Sequence, residues 1–200
     1  MNKLILILVG LFLLYPHLSK AQGITELPLD KKESIVFWKG TKMRGMGKHE
    51  GVVEIKSGFF NLKEGELVGG EVIIDMESIQ VTDIPEHEPI PRNRLNEHLK
   101  SDDFFGVEEY PEAKFRIDKV LDRTDHQMMV EGELTIRDVT DKIRVPLKVV
   151  MQNSESIMIT SAFKFDRFNW NVGYTGSWLE RTLVDKDIEL RIELTQKIES

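Results

Sequence analysis

Downstream of residue 33 the chain repeatedly alternates apolar and polar positions with a period of two. Residues 34–41, Ser-Ile-Val-Phe-Trp-Lys-Gly-Thr, have the β-branched and aromatic content of a strand. Residues 42–48, with Gly45 and Gly47, read as a turn. In residues 49–56, Val53 and Ile55 face one way while Glu54 and Lys56 face the other. Residues 58–65 read as a loop or hairpin bend. Residues 66–79 read as a long strand with Val72, Ile74 and Met76 on one face, and Gly69-Gly70 inside it marks a bulge. Further strands carry Ala113, Phe115 and Ile117; then Met128, Val130, Gly132, Leu134 and Ile136; then Ile143, Val145, Leu147 and Val149. The last two carry Phe163 with Phe165, and Ile188, Leu190, Ile192 and Leu194. Turns are expected at 122–125, 138–141 and 153–156. About eight strands with hairpin-length connections make an all-β fold. A sheet of that size buries its apolar face by folding into a sandwich or closing into a barrel. A barrel of about eight strands encloses side chains or one small ligand.

Three stretches break the alternation. Residues 22–32 form a polar lead-in. Residues 81–92 hold Asp83, Pro85, Pro89 and Pro91 and read as irregular; residues 167–181, with Trp170, Tyr174 and Trp178, read as a loop. Both are long enough to sit at a barrel mouth. Between the first of these and the next strand, residues 95–111 read as a short helix and a bend. Leu95 and Leu99 lie at i and i+4 on one helical face, with His98 beside them. Ser101 and two aspartates resemble a second helix start. Phe104 and Phe105 follow, and Pro111 disfavours helix at Tyr110. A helical plug carrying two adjacent phenylalanines, in a chain otherwise made of strands, suggests a lid or end-cap.

The N-terminus changes the expected setting of this fold. Lys3, an apolar run over residues 4–14 and the small residues Ser19 and Ala21 describe a signal peptide over residues 1–21, cut after Ala21. The run is too short for a bilayer span, which needs about twenty residues. The expected mature domain is 22–200, secreted or periplasmic, with no transmembrane segment. The absence of cysteine excludes disulfides and thiolate chemistry. Loss of Lys3 and Lys20 takes the net charge from −7 to −9. Such acidity opposes binding to nucleic acid or anionic membranes through general charge.

Several motifs together resemble one family. His98-Leu99-Lys100-Ser101-Asp102-Asp103-Phe104-Phe105, then Tyr110-Pro111 and Phe115, is similar to the signature of YceI-like proteins. Residues 130–140, Val-Glu-Gly-Glu-Leu-Thr-Ile-Arg-Asp-Val-Thr, resemble the family's central hairpin; Phe165-Asp166-Arg167 with Trp170 extends the likeness. The resemblance covers nearly all of residues 34–194. It implies an eight-stranded antiparallel lipocalin-like barrel whose apolar tunnel binds and carries a polyisoprenoid, quinone or fatty-acid-like lipid, with no catalytic residues. The chain departs from the family at Leu95-Asn96, where many members have Arg-Asp, and at Gly106, often aspartate. Arg92 and Arg94 are the nearest basic residues to the missing arginine.

The interior positions of the strands form the candidate lining. These are Trp38, Ile55, Ile74, Met76, Phe115, Met128, Val130, Leu134 and Ile136 in the first half, together with Val36, Val53, Val72 and Ile117. Val145, Leu147, Phe163, Phe165, Ile188, Leu190 and Ile192 complete it. The same residues also suit a filled core. Phe104 and Phe105 are candidates for the tunnel end, and His98 for a hydrogen bond to a phosphate or quinone oxygen. Asp166 and Arg167 suit pinning of the following loop. Asp83, Glu86, His87 and Glu88 are metal-ligand types in no recognised spacing. Asp102, Asp103, Glu108 and Glu109 suit an acidic cap better than a glycosidase pair, which needs two carboxylates across a cleft. The chain is therefore read as a binding protein without a cofactor or metal. A homodimer remains open. The rival reading is a secreted barrel without a ligand cavity, showing Trp170, Tyr174 and Trp178 to a protein partner.

Overall fold

A computed structural model describes residues 23–124, 126–153, 156–173 and 184–197. The expected signal peptide, Tyr174 and Trp178 lie outside the described residues. The strands are β1 (Ile24–Pro28), β2 (Ile35–Lys42), β3 (Gly47–Lys63), β4 (Glu66–Val81), β5 (Glu112–Arg123), β6 (Gln127–Ile136), β7 (Val139–Asn153), β8 (Ser156–Asp166) and β9 (Val184–Lys197). One helix, α1 (Pro89–Lys100), lies between β4 and β5, and a 3-10 turn, Arg167–Trp170, follows β8.

Strands β2 to β9 form the expected eight-stranded antiparallel barrel. Each pairs with its successor in the chain, and β2 closes the ring against β9 from Ile35↔Glu193 to Lys42↔Val184. Closure removes the sheet edges that would otherwise be open to other chains. The period-two pattern is visible in burial: Val36 and Trp38, Val53 and Ile55, and Val145 and Leu147 point inward and are buried. In β4 the phase changes after Met76. A bulge there lets Asp75 pair with Glu54 and Gln80 with Val52, so Ile79 and Val81 take over the inward positions.

Five features differ from the sequence reading, each for a local reason. The polar lead-in holds a strand: β1 pairs with the far half of β3, Ile24↔Lys63 to Pro28↔Phe59, and continues the β2 side of the sheet. Residues 58–63 are not a loop but the end of a 17-residue β3, and the chain reverses at Glu64 and Gly65, both with positive φ. The prolines at 89 and 91 begin a helix rather than prevent one, because the first turn has no intrahelical acceptor for its N–H groups. Ser101 starts no second helix; its N–H and hydroxyl both donate to the His98 carbonyl and close the end of α1. The 138–141 turn is tighter, at Arg137 and Asp138, with positive φ at Arg137.

The plug formed by α1 and residues 101–110 sits over one end of the barrel. Asn96 Oδ1 accepts from the Val81 N–H at 2.8 Å, tying α1 to the end of β4. Arg137 Nη1 donates to the carbonyls of Asp102 (2.9 Å) and Phe104 (2.7 Å), and its guanidinium lies over the Tyr110 ring. Arg167 reaches the plug from the other side, its guanidinium 5.8 Å from the Phe104 ring centre.

Candidate functional site

The barrel interior is hollow. Beneath the plug lies a cavity of about 140 Å³. A second cavity of about 50 Å³ lies deeper along the barrel. A void needs only about 10–15 Å³ to hold one water, so each has room for more than a single water molecule. Val36, Ile74, Leu134 and Leu190 border both cavities and form a waist between them. The plug-side chamber is roofed by Leu95, His98, Leu99, Phe104 and Phe105. The two phenylalanines meet edge-on at 5.0 Å, and His98 leans on Phe104 at 5.9 Å. The deep chamber is walled by Phe60, Val72, Phe115, Leu147, Phe163 and Leu194 among others. Ser161 also borders it, but its hydroxyl donates to the Pro146 carbonyl at 2.7 Å and is thereby satisfied.

Polar groups gather at the plug end, where Thr41, Lys42, His49 and Asp185 border the larger chamber. The Asp185 carboxylate accepts from the Thr41 hydroxyl at 2.6 Å and from the Arg44 and Gly45 N–H groups at 3.1 Å each. It thereby caps the β2–β3 turn, in which Met43, Arg44 and Gly45 all have positive φ. The Thr41 hydroxyl, helped by the two amides and the Arg44 charge, holds the Asp185 carboxyl below the usual carboxylate range; burial opposes this. A carboxyl depressed in the folded state stabilises it above the unfolded value, about 3.9. That contribution is lost as pH falls through the lower folded value. Corrected hydrogen exchange at Arg44 and Gly45 is expected to rise as pH is taken from about 5 to about 3. Asp185→Asn should flatten the response. Equal pH responses in the two proteins would show that the carboxylate does not hold the turn.

Most of the sequence-derived lining residues meet in these chambers. Trp38, Met76, His98, Phe104, Phe105, Ile136, Phe165 and Ile188 border the plug-side chamber, together with the waist residues Ile74, Leu134 and Leu190. Phe115, Val145, Leu147 and Phe163 border the deep one. Ile55 and Val130 are buried and Met128 is half-buried, but none of the three borders either chamber. Arg92 pairs with Glu86 at 3.5 Å, and neither it nor Arg94 reaches the cavity. Sequence reasoning missed Lys42 because it ended the first strand at Thr41, and it missed His49 because it took only the apolar positions of the next strand as lining. The signal was present: Lys42 keeps the phase of Val36 and Trp38, and His49 that of Val53. Trp170 offers no surface for a partner. It is 1% exposed, its Nε1 donates to the Leu134 carbonyl at 2.9 Å, and it meets Phe165 edge-on. Among the described residues no cluster of histidine and acidic side chains is arranged to hold a metal ion.

Comparison with known proteins gives consistent results. A family model described as "YceI-like domain" matches residues 28–196. The Burkholderia cenocepacia protein BcnA superposes with a TM-score of 0.66 at 21% identity, covering 84% of this chain and 98% of its own. A polyisoprenoid binding domain from Saccharophagus degradans, implicated in plant cell wall breakdown, superposes with a TM-score of 0.61 at 14% identity, covering 88% and 100%. The Campylobacter jejuni YCEI protein gives 0.54 at 23% identity, covering 68% and 75%. No curated protein sequence matches the chain significantly.

Proposed function

The chain belongs to the YceI-like domain family, and from that premise we propose that it binds and carries a long-chain isoprenoid or a similar amphiphile in the cell envelope. The observation that carries this reading is the hollow, apolar barrel interior beneath the plug. Each CH₂ taken from water into such a space contributes about 0.8 kcal/mol. A hydrocarbon chain therefore gains affinity along its length without special polar partners. Met76 in the wall adds an adaptable surface for an irregular chain. The polyisoprenoid binding domain of similar fold supports the choice of ligand class. Residues 1–21 have the pattern of an export signal, which supports an extracytoplasmic place of work. Carriage of this kind needs no reaction. The pinned hydroxyl of Ser161 is an ill-suited nucleophile, since its proton is already engaged by a backbone carbonyl.

The protein purified from its host is expected to release an apolar long-chain compound on organic extraction, identifiable by mass spectrometry. Stripped protein should take the compound up again. Repeated extraction of nothing, together with no uptake of added polyprenyl compounds, would overturn the proposal.

A further inference from the structure

The plug-side chamber reaches the surface at the root of the β2–β3 hairpin. The β2–β9 ladder is regular from Ile35↔Glu193 to Gly40↔Ile188 and then slips, so that Lys42 pairs with Val184. Residues 185–187 of β9 therefore stand opposite Thr41 alone. Gly40, Thr41, Lys42, Val184 and Asp185, on the two sides of this slipped stretch, all border the chamber. Lys42 is also exposed, and a Cβ on Gly40 would meet nothing within 4 Å. Open space thus adjoins the chamber wall where the ladder loosens.

Beyond this root the hairpin projects as an apolar and basic tip. Residues 42–46 are exposed throughout. Ile90, at the start of α1, and Met46 are the two most exposed large apolar side chains among the described residues, at 81% and 78%. The segment that leads to α1 is tied to the base of the hairpin, where the Thr82 N–H donates to the Glu50 carbonyl at 2.9 Å. Both apolar points therefore belong to the plug end. Lys42, Arg44 and Lys48 outnumber the two acids beside them: Glu50, which pairs with Lys48 at 2.9 Å, and Asp185, which the turn engages. The chain as a whole carries a net charge of −7. The shape of the tip is enforced. Met43 and Arg44 have φ of 53° and 57°, which is unfavourable for residues with a Cβ. The Asp185 carboxylate holds the turn through the N–H groups of Arg44 and Gly45. Strain of this kind persists only where the surroundings over-determine it. Here it keeps two methionines out in the solvent, on the lip of the chamber.

We propose that the β2–β3 tip docks the barrel mouth onto a lipid bilayer, with Met43 and Met46 entering the head-group region and Lys42 and Arg44 meeting lipid phosphates. This rests on the reading that the interior takes a hydrocarbon chain, and it adds where the chain is exchanged. A molecule resident in a bilayer passes into the chamber beside Gly40 and Lys42 without crossing open water. The apolar pair supplies attraction that salt does not screen. The basic pair acts within about a Debye length of the head groups. The acidity of the rest of the chain favours a tip-first approach to an anionic surface.

Sedimentation with vesicles of phosphatidylethanolamine and phosphatidylglycerol tests the docking. Geranylgeraniol, presented either in those vesicles or free in solution, reads the exchange. The stripped protein is expected to bind the vesicles and to load from them. Met43→Asn combined with Met46→Ser, in which asparagine tolerates the positive φ, should weaken vesicle binding at least about tenfold. Loading from vesicles should slow in proportion, while uptake from free solution is unchanged. Unchanged uptake from solution also shows that the variant folds. Absence of vesicle binding by the unaltered protein, or equal binding by the variant, would overturn the docking and leave the hydrocarbon site standing. Self-association that the variant loses, with no vesicle binding, would assign the tip to a second copy of the chain and overturn the docking as well. Failure to take up geranylgeraniol from either source would instead overturn the reading of the interior.

Discussion

Leu134→Glu is expected to abolish lipid uptake and to cost most of the protein's stability, whereas Glu133→Leu should do neither. The two positions are adjacent on β6 and face opposite ways. Leu134 is 4% exposed and stands at the waist between the chambers. Glu133 is on the outer face, where its carboxylate meets Arg116 at 2.6 Å. An ionised carboxylate at the waist would have no partner among aliphatic side chains, at a penalty of several kcal/mol. Domain stabilities are only about 5–15 kcal/mol. The outer ion pair is solvent-exposed, and such pairs contribute about 0–1 kcal/mol. Thermal unfolding and uptake of a polyprenyl probe would distinguish the variants. Similar behaviour of the two would mean that the inward face of β6 has been assigned to the wrong residues.

Arg167→Met is expected to lower stability by about 3–5 kcal/mol. Arg167 is 1% exposed and begins the 3-10 turn after β8. Its Nε donates to the Asp185 carbonyl (3.2 Å), Nη1 to those of Val172 (2.8 Å) and Gly173 (3.2 Å), and Nη2 to that of Val184 (3.0 Å). The Phe168 ring lies 4.2 Å away on one side and the Phe104 ring of the plug 5.8 Å away. Burial pulls the guanidinium's pKa below its ordinary value, and the Asp166 charge partly offsets this. Methionine would leave four carbonyls without this donor. Lysine should rescue little, because a compact ammonium cannot span the same fork of acceptors. The expected fall in melting temperature is on the order of 10 °C. Loss of plug support should also weaken lipid retention. An unchanged melting temperature for the methionine variant would show that the knot around Arg167 is dispensable.

The barrel was legible because alternation is a direct record of which side of a sheet meets water. Val145 and Leu147 could be assigned inward from the sequence, and they are buried. The plug was legible because Leu95, Leu99 and the two phenylalanines break that period. What escaped was set by pairing rather than by pattern. The strand Ile24–Pro28 exists because β3 outruns β2 and offers it an edge. The bulge after Met76 moves the inward phase to Ile79 and Val81, which no strict period anticipates. Glycine at 47 and 51 reads locally as a turn or a weak strand. It becomes meaningful only when register places Lys42 and Trp38 opposite.

For the proposed hydrocarbon ligand, the constriction formed by Val36, Ile74, Leu134 and Leu190 would set a threshold of length. A hydrocarbon that stops short of it would leave these four side chains where they stand. One that continues would have to swing them aside and replace the contacts they lose with its own. Occupancy of the far compartment would then come in a single stride, not methylene by methylene. A barrel working in this way would sort chains into short and long through four aliphatic rotamers, while its hydrogen-bonded frame stays still.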